Sequence, residues 1–462
     1  MFCACLLGRK FAWLAAIGLI LPAGFALTGV APAQATGMAL HSFNGTDGSS
    51  PNGPLIADAK GTLYGTTTYG GTSGNAHNPG YGAVFKLTPP ASGTGPWTET
   101  VLYNFTGLTD GGWPWGGLIF DAQGCLYGTT YMGGSPKYNY GVVYKLTPPA
   151  SGMGQWKQTI LHTFDTLPDV SNPQGGLIFD ASGSLYGAAS AGGMTEFGAV
   201  FKLKPPVSGS GPWTESILYN FNGGSKSDGA APTGELIFDA KGALYGTTVV
   251  GGDYTYGTVY KLAPGLGSWK ASILYEFTGY NGRSPIDGVI MDKTGALYGA
   301  TYYDGPAGAG TVFKLTQPPV PNTAWSHEYL RNFAGINMSY PSGPLISDAK
   351  GTLYGTVREG RTTGGTATHM GAVFSLTPPA SGTGPWTLTA VHYFGNCTAT
   401  GGCSCSTPGG CYPTGGVITG ADGALYGTTA AGGPGQSNNG AVYKLVCNQW
   451  SGAGANKTCL SW

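Results

Sequence analysis

The chain has 462 residues, with 22 Lys and Arg against 22 Asp and Glu, and charged residues make up only 10% of it where ordinary globular proteins carry about 25%. So neutral and charge-poor a chain excludes electrostatic recognition of nucleic acid or of an anionic membrane surface. Glycine is abundant, at 83 residues, but the 12% aromatic content excludes a disordered low-complexity chain, because such chains lack the side chains needed to bury a core.

Residues 1–35 read as an export signal. Arg9 and Lys10 form a basic start, Phe11 to Leu27 is mostly apolar, and Ala33-Gln34-Ala35 has the small-x-small pattern of a cleavage site. Cleavage near Thr36 would leave 20 basic and 22 acidic residues. No second long apolar segment follows, so no membrane span is expected after cleavage.

From here the chain repeats one unit. Leu-Tyr-Gly occurs seven times, at Tyr64, Tyr127, Tyr186, Tyr245, Tyr298, Tyr354 and Tyr426, with spacings of 63, 59, 59, 53, 56 and 72 residues. Each unit parses into four short strands bounded by Gly, Pro, Asp and Ser. In the second unit these are residues 117–120 (strand a), 126–130 (b), 141–146 (c) and 156–164 (d). Four antiparallel strands in 53 to 72 residues fit a propeller blade rather than a solenoid rung of about 20–30 residues. The fold expected is therefore all-β, a seven-bladed β-propeller of four-stranded antiparallel blades over residues 36–446. Residues 39–43 match the end of strand d in other units yet precede the first strand a, while the last unit stops after strand c. The N-terminal strand is thus expected to complete the last blade and close the ring.

The succession Leu-Tyr-Gly-Thr-Thr, Gly-Gly, Gly-x-Val-Tyr/Phe-Lys-Leu resembles the GloVer-type tandem repeat of bacterial extracellular proteins, over residues 39 to 445. The resemblance implies export and a repeat scaffold, and it supplies no catalytic residues. The tail at 456–462 departs from the surface-anchored members in having no apolar helix with a basic flank.

Repetition accounts for several residues that otherwise invite chemistry. Asp58, Asp121, Asp180, Asp239, Asp292 and Asp348 each open an Asp-x-x-Gly turn between strands a and b, and the seventh equivalent is Gly420. His41, His162 and His392 share one repeat position, so rotation from blade to blade keeps them apart and does not assemble a zinc site from them. Lys86, Lys145, Lys202, Lys261, Lys314 and Lys444 read as solvated outer-face residues. The Gly-x-x-Asp-Gly-x-x-Pro connections at Asp47, Asp110 and Asp228, with Asn281 nearby in the fifth unit, read as turns, calcium being the alternative. No other cofactor is implied.

Loop content does vary. Trp113, Trp115, Tyr131, Tyr140, Tyr254, Tyr256, Tyr302 and Tyr303, with Arg358 as polar company, are expected on one face and form the candidate binding surface. Trp113 and Trp115 in particular could stack on sugar rings, with Tyr131 and Tyr140 completing a platform. Cys125 is a small buried filler with a free thiol. Cys397, Cys403, Cys405 and Cys411 precede the last unit, Cys447 and Cys459 bracket the tail at 447–462, and neither group has zinc-knuckle spacing. Disulfides are expected, Cys447 with Cys459 and two more of open connectivity among the other four.

The function these features favour is an exported noncatalytic binding or surface-interaction module for a glycan or an extracellular protein. It would be secreted or held at the cell surface, with the periplasm as the other location. The alternatives are a polysaccharide hydrolase or lyase using loop carboxylates such as Asp304 and Glu359, and a structural cell-envelope protein.

Overall fold

A computed structural model describes residues 35–461 apart from residues 75–78, 153, 166–167, 208, 210, 224–227, 321–322, 335–337, 362–366, 398–402, 406–408, 434–437 and 452–457. The signal-like segment at 1–34 lies outside the described residues. Among those described there is no helix, and the strands form seven antiparallel four-stranded blades. In blade 1 the strands are Ile56–Ala57, Leu63–Thr67, Ala83–Thr88 and Thr98–Asn104, paired in the order a, b, c, d. Blade 7 runs Cys411–Thr419, Leu425–Ala431, Ala441–Val446, and its fourth strand is the N-terminal Thr36–Ser42. Ala39 lies opposite Tyr443 and His41 opposite Val442, so the ring closes as the displaced strand predicts.

The repeated residues have repeated tasks. The Gly of Leu-Tyr-Gly leaves room for the strand-c aromatic of its own blade: a Cβ on Gly128 would meet the Tyr144 hydroxyl at 2.5 Å, and one on Gly65 would meet the Phe85 ring at 2.7 Å. The neighbouring Tyr donates its hydroxyl proton to the turn carboxylate, as Tyr127 does to Asp121 at 2.9 Å, and the same Asp accepts the Gln123 and Cys125 amides through Oδ1. The turn role of these aspartates therefore holds. In blade 7, where Gly420 replaces the turn Asp, Asp422 takes over and accepts from the Tyr426 hydroxyl at 2.9 Å.

Lysines of strand c complete this group, and here the sequence expectation needs correcting. Lys145, Lys202, Lys261 and Lys444 are ion-paired to Asp121, Asp180, Asp239 and Asp422 at 2.7–3.4 Å and lie 4.8–5.4 Å from the Tyr ring centroids. Backbone and side-chain hydrogen bonds plus the lysine hold Asp121, Asp180 and Asp239 below the usual carboxylate range despite partial burial.

Core packing is between blades, not within them. The seven clusters of buried side chains each span two adjacent blades. The one at the closure joins Leu40, Phe43, Tyr426 and Val442 to Leu55, Leu63, Phe85 and Leu87 of blade 1, so the last junction is built like the others. Tryptophans at the start of strand d reach across these junctions, for example Trp156 to Tyr64 and Trp97 to Tyr426, with centroids 6.4 and 6.0 Å apart.

One device recurs at the top of every junction. The residue before the strand-a proline, namely Ser50, Trp113, Asn172, Ala231, Ser284, Tyr340 or Tyr412, adopts a left-handed conformation with φ between 52° and 61°. Both the Cβ that these residues carry and the proline that follows disfavour it. The compensation is a latch: the Trp113 amide donates to the Tyr81 carbonyl of the preceding blade at 2.8 Å, and the Asn172 amide to the Tyr140 carbonyl at 2.9 Å. The strain thus serves to turn each chain segment sharply into the channel.

Cys405 is bonded to Cys411, one of the bridges expected there. Cys397 and Cys403 stand directly opposite each other in a two-stranded hairpin. Cys447 is disulfide-bonded, but its pairing with Cys459 lies outside the described side chains. Cys125 is buried and free, as expected.

Candidate functional site

After each strand-a proline comes one residue that points into the channel mouth, and around the ring these are Asn52, Trp115, Gln174, Thr233, Ile286, Ser342 and Thr414. All seven line a cavity of about 680 Å³ on the propeller axis. The left-handed residue and the proline that precede them recur in every blade, while their own identities differ. Trp115 is the largest and is 40% exposed. The others are mostly short amides and hydroxyls tied laterally: Thr414 Oγ1 donates to Asn52 Oδ1 at 3.1 Å, Asn52 Nδ2 to Thr68 Oγ1 at 2.9 Å, and Gln174 Nε2 to Ser190 Oγ at 3.2 Å.

Tyr69, Tyr302 and Arg358 complete the wall. Arg358 Nη1 donates to the Tyr302 hydroxyl at 3.3 Å, and its guanidinium lies 5.6 Å from the Tyr412 ring centroid. Burial raises the Tyr302 hydroxyl pKa, with Arg358 opposing.

Two carboxylates close the floor. At the position before the strand-a Leu or Val, the blades carry Pro54, Gly117, Gly176, Glu235, Gly288, Pro344 and Gly416; one residue earlier, they carry Gly except for Asp287. Glu235 and Asp287 lie on adjacent blades joined by a backbone bridge between Glu235 and Gly288. Glu235 Oε1 sits where a Cβ on Gly176 or Gly117 would meet it at 2.6 or 3.0 Å, so glycines in blades 2 and 3 make its room. Burial, opposed by the Gly343 amide and reinforced by Glu235, pushes the Asp287 carboxyl up to about 7, and burial also raises that of Glu235. Asp287 Oδ2 is buried with no hydrogen-bond partner among the described residues. Below them the channel continues as an apolar cavity of about 350 Å³ lined by Leu, Ile and Val of strand a.

Of the residues expected on the binding face, the structure brings Trp115, Tyr302 and Arg358 to this cavity; Trp113, Tyr131, Tyr140, Tyr254, Tyr256 and Tyr303 do not line it. Trp113 packs between Tyr69 and Tyr131, with centroids 5.7 and 6.3 Å away. Tyr131 also faces Trp115 at 5.9 Å. Tyr140 stacks on Tyr138 and packs against the core between blades 2 and 3. Tyr256 packs against the core between blades 4 and 5, and Tyr303 lies beneath the Arg283 guanidinium at 4.9 Å. Tyr254 is 56% exposed, away from the cavity. Asp304, a candidate acid or base, is instead paired with Arg283 at 3.2 Å. Glu235 and Asp287 were missed by sequence reasoning, although they are the charged exceptions in otherwise Gly and Pro columns of the repeat.

The Gloeobacter/Verrucomicrobia repeat model matches residues 28–224 and 211–403. The chain belongs to that repeat family. No curated protein matches the chain significantly. Among solved structures, the chain is similar to a candidate gluconolactonase (14% identity, 78% of this chain and 96% of that one, TM-score 0.38). It is also similar to a candidate oxidoreductase (glucose dehydrogenase) of Thermus thermophilus (15%, 89% and 100%, 0.40). A third is a fungal alcohol oxidase of the AA5 family in complex with copper (13%, 90% and 76%, 0.48). These likenesses concern the propeller fold alone.

Proposed function

We propose that the protein is an exported binding module that takes a neutral, hydroxyl-rich ligand, a glycan, at the mouth of its channel. The observation that carries this reading is the ring of seven channel-lining side chains, of six residue types, presented at one repeat position. An exposed indole in that ring supplies an apolar face for a sugar ring, and amides, hydroxyls and Arg358 supply donors and acceptors at its edge. The low overall charge suits an uncharged ligand. Membership of the repeat family and the Cys405–Cys411 bridge are compatible with export, since disulfides persist in oxidising compartments. A glycan-array screen, followed by titration of the best ligand into wild-type protein and a Trp115→Ala variant, tests it. Loss of binding without loss of folding is expected.

A second reading rests on Glu235 and Asp287. A pair of partly buried carboxyls raised above the usual carboxylate range on the floor of a cavity is suited to proton transfer, which would make the module a polysaccharide hydrolase or lyase. Incubating bound glycans with wild type and with Glu235→Gln and Asp287→Asn variants separates the two. Turnover lost in both variants supports chemistry, and unchanged glycans support binding alone.

A further inference from the structure

Across blade junctions, the residue two before the closing Phe of strand d faces the residue six before the closing Phe of the next blade. Tyr275 stacks on His327 this way at 4.6 Å, and a Cβ on Gly37 would meet His392 Nε2 at 2.8 Å. In two other junctions the first residue is a Tyr whose hydroxyl donates to the Asp of the following connection, Tyr103 to Asp110 at 3.1 Å and Tyr219 to Asp228, whereas the Tyr275 hydroxyl accepts from Asn281 Nδ2. The facing residue is then uncharged: Gln158, which donates to the Asp110 carbonyl at 2.8 Å, or Ala271.

Two junctions differ in a concerted way. His41 and His162 replace the Tyr, each with Nε2 3.0 or 3.1 Å from Asp47 or Asp169, and the facing residue becomes Glu99 or Glu215. In each trio one nitrogen and two carboxylate oxygens all lie within 4.8 Å of one another. Glu99 Oε1 and Glu215 Oε1 are both buried with no hydrogen-bond partner among the described residues. One imidazole already satisfies the Asp, so ionising a second carboxyl beside it adds negative charge that the described trio does not balance. A divalent cation would balance it, with the imidazole neutral and two carboxylates ionised. His392, the third histidine of this column, faces Gly37 and lacks the facing acid, which makes it an internal control.

We propose that His41, Asp47 and Glu99, and separately His162, Asp169 and Glu215, each bind one zinc-type divalent ion that ties two blades together. Mixed imidazole and carboxylate donors suit zinc, whose bonds to nitrogen and oxygen run about 2.0–2.2 Å, whereas calcium and magnesium prefer all-oxygen shells. The His and Asp side chains and Glu215 retain 11–20% exposure, leaving water to complete the shell.

The test is zinc titration of the exported protein after chelator treatment, read by calorimetry and, with cobalt in place of zinc, by visible absorption. Two ions per chain are expected in wild type, one in either Glu99→Gln or Glu215→Gln, and none in the double variant. Gln occupies the same position in blade 2, so these variants retain a side chain the fold accepts. His41→Tyr with His162→Tyr, copying blades 1 and 3, gives a second route to the same loss. Absence of binding in wild type, or a wild-type stoichiometry retained in both double variants, the mark of an adventitious ion only, would overturn the proposal.

Discussion

The blade junctions and the channel mouth are built from the same repeat, yet they differ in what the repeat constrains. In each junction core the closing Phe of strand d meets the strand-c aromatic of the next blade, so Phe43, Phe105, Phe164, Phe221, Phe277, Phe333 and Phe394 are all buried. At the mouth, the side chain after the proline lines the channel, and its identity runs from Ser to Trp. A position with a required partner is held constant from blade to blade by packing. One lining the channel is available for recognition, and its variation is the better pointer to function.

The comparison is broken most severely at the closure. Removing residues 36–44 deletes the fourth strand of blade 7, exposes the edge of Ala441–Val446 and takes Leu40 and Phe43 out of the closure core. The protein is expected not to fold, as judged by loss of a cooperative melt. Phe43→Ala, the point version, should cost about 3–5 kcal/mol, the same as Phe105→Ala in an ordinary junction. A much smaller cost at Phe43, read from denaturant midpoints, would mean the closure is looser than the other six.

Asp287 sharpens the other side of the comparison. Its folded-state carboxyl is raised to about 7 by burial, above the unfolded value, so its contribution is fully present below about pH 4 and is lost as pH rises through 7. Asp287→Asn should therefore be nearly neutral at pH 4 and stabilise by about 1–3 kcal/mol at pH 8. Equal melting shifts at both pH values would contradict the placement of this carboxyl.

The smallest effect tests internal substitution in the packed part. Tyr144, Tyr260 and Tyr443 bury hydroxyls with no partner among the described residues where blades 1, 3, 5 and 6 carry Phe. Tyr260→Phe should be neutral or raise stability by about 0.5–1.5 kcal/mol, because a buried unsatisfied hydroxyl is removed. A clear loss of stability would show that the hydroxyl is satisfied.

Much of the scaffold was legible because each contact is copied seven times. Leu-Tyr-Gly, the Asp-x-x-Gly turn and the displaced strand at 39–43 specify blade number, strand order and closure. Lys145 and its equivalents read as solvated because the partner Asp lies two strands away. Glu235 and Asp287 were visible as exceptions in Gly columns, but only comparing columns, not searching for motifs, would have exposed them. The His41 and His162 trios were hidden for another reason: Glu99 and Glu215 lie a whole blade further along the sequence, and their pairing depends on the register between blades. Trp113 and Trp115, on either side of Pro114, looked equivalent; the left-handed turn at Trp113 sends one indole into packing and the other to the mouth.

That division gives the most direct test of the binding account. Trp113→Ala and Trp115→Ala should be compared for melting temperature and for affinity toward the tightest glycan found on an array. Trp113→Ala is expected to lower the melting temperature by several degrees, consistent with about 2–3 kcal/mol for a partly buried indole, while retaining whatever affinity the folded fraction has. Trp115→Ala is expected to melt within a degree or two of wild type and to lose at least tenfold in affinity. If Trp115→Ala binds as tightly as wild type, the channel mouth is not the recognition surface.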